Sequence, residues 1–157
     1  MRFLTVAVLL SVAPLAARAD DQLKPPHPGL ARIQASLDHC TDAQPGNINE
    51  MLCAIEADKD VDTLLNTLYR KIVAKLKQTE EPDHDVKERE ELLKRLVASE
   101  RAWIAYREAE CSHASAAMLG GSGEGTMLAQ CKLSMRRDRV NNLLRFYEIR
   151  FPDIPKE

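Results

Sequence analysis

The sequence predicts an all-α protein: an antiparallel bundle of about four helices, two of them long, tied by two disulfides. Three observations carry this. Apolar residues recur at spacings of three and four over most of the chain, with no alternating stretch long enough for a strand. Proline and glycine clusters punctuate the periodic segments at Pro45–Gly46, around Pro82 and at Leu119–Thr126. Four cysteines, Cys40, Cys53, Cys111 and Cys131, lie near the ends of those segments.

The first nineteen of the 157 residues read as a signal peptide. Arg2 is its positive start, Phe3 to Val12 is an apolar run too short for a permanent span, and Ala17-Arg18-Ala19 is a small-x-small cleavage site. The expected mature chain begins at Asp20, outside the cytoplasm, in the periplasm or the medium. Loss of Arg2 and Arg18 takes the formal charge from −2 to −4. That mildly acidic balance argues against general nucleic-acid binding, which calls for a basic surface. The remaining length suits one domain with one core.

An even cysteine count in an exported chain reads as two disulfides. Of the three pairings, Cys40–Cys53 and Cys111–Cys131 are favoured, because each closes a short loop between predicted helices. The competing reading is a zinc site, since His39 adjoins Cys40 and His113 follows Cys111 by two. No Cys-x-x-Cys pair supports it, so neither metal nor cofactor is expected.

Residues 20–29 hold three prolines and little to bury, and are expected to form a flexible leader before a domain spanning 30–157. Leu30, Ile33 and Leu37 then mark a short helix ending near Cys40. Asn47, with Glu50 three residues on, is expected to cap a long helix reaching about Gln78. Its apolar stripe is Ile48, Leu52, Ile55, Leu65, Leu68, Ile72 and Leu76. The charged stretch Asp58–Asp62 leaves two readings, continuation or a kink, of which continuation is favoured.

The next helix is expected from about Asp83 to Met118, started by Pro82 and nearby acids that suit a helix N-terminus. It holds the stretch around which the sequence looks organised, Leu96–Cys111. There Leu96, Glu100, Trp103, Arg107 and Cys111 share one face. Val86 and Leu93 extend that face, and the alternating charges of residues 87–95 read as a solvated flank with i,i+4 pairs. After the glycine-rich loop Leu119–Thr126, Thr126 is expected to cap a last, basic helix. That helix turns Met127, Cys131, Met135, Leu143 and Leu144 inward.

No catalytic constellation emerges, and an enzyme is not expected. The glycine loop lacks the Gly-Lys-Ser/Thr of a phosphate loop, and Glu124 stands where a nucleophile elbow around Ser122 needs its second glycine. The carboxylates fall into no recognisable acid–base pair. Three polar residues, Asp62, Asn66 and Tyr69, share a helix face at i, i+4 and i+7. They read as a structural tie in which Asp62 accepts from Arg107. The other reading, a functional pocket, has less behind it.

Cys40, Thr41, Met51, Cys53, Asp62, Leu65, Asn66 and Tyr69 together resemble a known pattern. It continues in Ser99, Arg101, Ala102, Trp103, Ile104, Tyr106, Arg107 and Cys111, then a glycine-bearing stretch, Cys131 and Arg139. The chain resembles, over about Cys40 to Leu144, the secreted proteins with a lysozyme-inhibitor LprI-like domain. Glu100 stands where such proteins often carry glutamine. The resemblance implies a disulfide-tied helical domain that works by protein–protein contact, with lysozyme as the partner. A basic lysozyme would be steered by Glu80, Glu81, Asp83, Asp85 and Glu88, and the turn there or the loop with Ser122 and Glu124 would enter its cleft. The alternative is a non-inhibitory envelope scaffold, adaptor or immunity-type partner, using the basic last helix as its contact surface.

Overall fold

The computed structural model describes residues 27–78 and 83–150; of residues 83–85, 149 and 150 it gives only the helix path. The expected signal peptide, most of the leader, Glu80, Glu81 and the final segment 151–157 lie outside the described residues. Four α-helices follow one another: α1 Pro28–Ala43, α2 Asn47–Leu76, α3 Asp83–Ser115 and α4 Glu124–Arg150. One 3₁₀ turn, Ala116–Met118, closes α3. Among the described residues there is no strand.

The sulphurs pair as Cys40–Cys53 and Cys111–Cys131, with Cα–Cα distances of 5.9 and 5.5 Å. They are therefore committed to each other and not to a metal; His39 and His113 beside them are exposed.

The chain is organised around α2 rather than around the tryptophan helix. α2 contributes Cys53, Ala54, Ala57, Val61, Leu65, Leu68, Ile72 and Leu76 to the buried set. α4 packs along it most extensively, α1 covers another side, and α3 lies chiefly on α4. The side-by-side order is thus α1, α2, α4, α3. The core continues through Leu96 of α3 and Ala129, Leu133, Val140, Leu143 and Tyr147 of α4, with Trp103 half-buried against it.

α2 runs unbroken through Asp58–Asp62, because those charges lie on its flank and Asp58 and Asp62 meet a cation there. Its first-half stripe is not the one the spacing suggested. Ile48, Leu52 and Ile55 are 69, 54 and 38 % exposed, while Cys53, Ala54 and Ala57 face inward. Two close approaches explain the choice. The Cys40–Cys53 bridge draws α1 onto this turn, and a Cβ placed on Gly125 of α4 would stand 2.6 Å from the Met51 sulphur. The bridge fixes Cys53 toward α1 and the absent Cβ of Gly125 makes room for Met51, so this side of α2 faces its neighbours and Ile48, Leu52 and Ile55 turn outward.

The helix starts also differ from expectation. α1 begins at Pro28, where His27 Nδ1 accepts from the Gly29 amide at 3.1 Å. Gly46, at φ +137°, is the residue before α2, and no side chain caps it; Asn47 instead points Nδ2 at Ser122 Oγ, 3.4 Å away. α4 starts at Glu124, so Thr126 lies inside it and donates its hydroxyl to the Asn47 carbonyl at 2.9 Å. Thr126 therefore joins α4 to α2, and Asn47 joins α2 to the loop that precedes α4. Thr126 is buried, so its hydroxyl takes a carbonyl partner across the seam, whereas an exposed helix start can be satisfied by water in place of a side-chain cap.

Candidate functional site

Two regions hold the residues singled out from sequence. The first is the seam between α3 and α4. Leu96, Glu100, Trp103, Arg107 and Cys111 do share the inward face of α3, as their spacing requires. Trp103 is flanked by two guanidinium groups: Arg107 stands 4.9 Å and Arg139 5.7 Å from its ring centre. Such stacking covers an apolar ring with weakly hydrated cations. Each arginine is in turn anchored by a carboxylate. Arg139 donates from Nε and Nη2 to Glu100 Oε2 at 2.9 and 2.7 Å, and to Ser99 Oγ at 3.1 Å. Arg107 donates to Glu108 Oε1 at 3.0 and 2.6 Å, and Lys132 meets the other oxygen of Glu108 at 2.8 Å. The Lys132 and Arg107 hydrogen bonds hold the Glu108 carboxyl below the usual glutamate range, with a small opposing push from burial.

The expected bond from Arg107 to Asp62 does not form. α4 stands between α3 and the Asp62 face of α2, so Asp62 meets Arg136 of α4, with Nε 3.0 Å from Oδ1. Arg136 also pairs with Asp58. These contacts are charge pairs with off-line hydrogen-bond geometry. Asn66 donates back to the Asp62 carbonyl and carboxylate at 2.8 and 2.9 Å, and Tyr69 packs partly buried on the core. Tyr106, one of the residues that carry the family resemblance, is 57 % exposed.

The second region is the loop after α3. It is braced from within: Glu124 Oε2 accepts from the Gly120 amide at 3.0 Å, and the Gly121 amide donates to the Met118 carbonyl at 2.8 Å. Gly120 sits at φ +74°, a conformation that glycine adopts without strain. Ser122 touches Asn47, which fixes the loop to the first turn of α2. The acidic turn is elsewhere. α2 is 30 residues long, about 45 Å at 1.5 Å per residue, and the turn lies between its far end and α3. The loop stands at the start of α2, whereas the described ends of α2 and α3 that flank the acidic residues stand at the other end of that helix. Asp83 and Asp85 fall in the first turn of α3, where only the helix path is described.

Among the described residues no group of three or more His, Cys, Asp or Glu is placed to hold a metal, and no helix is long and apolar enough to cross a membrane. The feature that sequence reasoning missed is the outward face of Ile48, Leu52 and Ile55. Its signal was present: three large residues at spacings of four and three, opposite three small ones.

Comparison with known proteins places the chain in a family. An uncharacterised protein of Rhizobium meliloti (strain 1021) is 31 % identical over 98 residues, which cover 62 % of this chain and 70 % of that protein. No solved structure matches the chain. The model of the family described as lysozyme inhibitor LprI matches residues 40–143, from the first cysteine to the buried Leu143 of α4. The span takes in both disulfides, the arginine-flanked tryptophan and the loop that joins α3 to α4, and the chain belongs to the LprI lysozyme inhibitor family.

Proposed function

We propose that this protein is an exported lysozyme inhibitor that acts in the periplasm by protein–protein contact, without chemistry of its own. The observation that carries the reading is the family match, which spans residues 40–143 and takes in both disulfides. Three features support it. The sequence begins with a signal-peptide pattern, both disulfides suit an oxidising compartment, and the polar clusters read as charge pairs that stabilise the seam. An inhibitor needs a rigid surface of the right shape and charge, and a disulfide-tied helical frame supplies one.

The alternative, an adaptor using the basic last helix, finds less support. Lys132, Arg136, Arg137 and Arg139 are turned onto Glu108, Asp58 and Asp62, Gln34 and Glu100 respectively. These four cations of α4 thus serve as internal wiring between helices.

The test is a peptidoglycan lysis assay with a basic lysozyme and the mature chain, disulfides intact. Near-stoichiometric protein is expected to slow lysis. Unchanged lysis together with no heat of binding at low salt would remove the reading. Export is checked separately: N-terminal sequencing of the periplasmic protein is expected to begin at Asp20.

A further inference from the structure

The geometry points to one end of the bundle as the face that docks a basic protein. The inference rests on the inhibitor reading above and assigns its contact surface. At this end the start of α2, the end of α1, and the α3–α4 loop meet. Cys40–Cys53 joins α1 to α2, Asn47 contacts both Ser122 and Thr126, and Cys111–Cys131 joins α3 to α4 a few residues from the loop. Both covalent cross-links therefore lie at the same end.

That end also exposes large apolar side chains. Ile48, Leu52 and Ile55 form an outward stripe on α2, and Met118 and Leu119 of the adjoining loop are 47 and 77 % exposed. Apolar groups held open to water on a frame this constrained have a low ordering cost on binding, which is what a recognition surface requires.

Charge selects the occupant. From Asn47 to Asp62, α2 carries Glu50, Glu56, Asp58, Asp60 and Asp62; Lys59 pairs with Glu56 and Arg136 of α4 with Asp58 and Asp62, which leaves a net acidic surplus, whereas from Thr63 to Leu76 α2 carries no acid. Asp42 of α1 adds an exposed carboxylate at the same end. The cations that reach this region, Lys132 and Arg136, are already paired with carboxylates. An apolar patch rimmed by surplus acid fits a partner whose apolar contact is rimmed by Lys and Arg. A second copy of this chain would bring acid against acid across a self-complementary contact, and an anionic polymer would be repelled.

The experiment uses the mature, oxidised chain and a basic lysozyme, with the affinity read by calorimetry at low and physiological salt. The variant Ile48→Ala/Leu52→Ala removes exposed apolar surface and keeps helix propensity, so its circular dichroism and melting are expected to match the wild type. Its Kd is expected to rise at least tenfold. Asp42→Lys/Asp60→Lys is expected to slow association and flatten the salt dependence. Phe146→Ala, an exposed apolar change near the far end of α4, is expected to leave the Kd unchanged. A complex that forms with equal affinity for the wild type and the Ile48→Ala/Leu52→Ala variant overturns the face while leaving the inhibitor reading standing. No complex with the wild type removes both. A wild-type dimer in sedimentation that Ile48→Ala/Leu52→Ala dissociates would assign the face to self-association and overturn the basic partner.

Discussion

Arginine does much of the joining at residue scale, and its partners decide which substitutions matter. Arg136 has a side chain only 14 % exposed and faces Asp58 and Asp62. Arg136→Gln leaves the half-buried Asp58 beside Asp62 without a counter-charge, and should cost about 3 kcal/mol in urea unfolding, near the lower end for breaking a buried pair. Asp62→Asn should cost under about 1 kcal/mol, since Asp62 is 44 % exposed and Asp58 still neutralises the guanidinium. Glu108 gives a pH dependence. Its carboxyl is held below the usual range in the folded chain by Lys132 and Arg107. The stability it adds is therefore present above the unfolded value of about 4.3 and is lost as pH falls through the lower, folded value. Melting curves of Glu108→Gln should converge on the wild type in acid and lie below it at neutral pH, by a small margin because the group is largely in water. Tyr147 behaves in the opposite sense: burial raises its phenol, so its contribution is present below about pH 10 and fades as pH rises beyond.

For the helices, spacing located every element but not always the buried side. The inward face of α3 follows directly from its pattern, because Leu96, Trp103 and Cys111 have no rival stripe. The first half of α2 has two stripes, one large and one small, and the amount of apolar area alone favours the large one. The observed choice comes from where α1 and α4 lie, with Cys53 bridged to α1 and Met51 seated against Gly125 of α4, which no count of apolar residues contains. The same holds for the starts of α2 and α4, where Asn47 bonds the α3–α4 loop and Thr126 bonds α2 instead of capping their own helices. Gly46 is the residue on which α2 begins, at φ +137° with open space around it. Gly46→Ala should therefore destabilise by about 1 kcal/mol through backbone strain alone, measured by chemical denaturation.

Across the whole molecule, the two disulfides make the bundle unequal along its length. The Cys40–Cys53 and Cys111–Cys131 loops close 13 and 20 residues, and each should be worth about 3 kcal/mol in the chain-entropy account. Thiol titration of the native mature chain should find no free thiol, and Cys111→Ser/Cys131→Ser should lower the melting temperature. If the stapled end is the docking face, the same variant should weaken lysozyme binding by more than its helix content falls.

Sequence alone determined the helical class, the position of each helix, the disulfide pairing favoured by loop length, and the inward-facing indole. All of these are local: they depend on spacing along one helix or on the length of one loop. Only the tertiary structure decided that α4 separates α3 from the Asp62 face of α2, that Arg136 and not Arg107 answers Asp62, and that Ile48, Leu52 and Ile55 face water. A one-dimensional pattern states which residues share a face. Which face is covered depends on the order and closeness of neighbouring helices, and those are set by the packing of all of them at once.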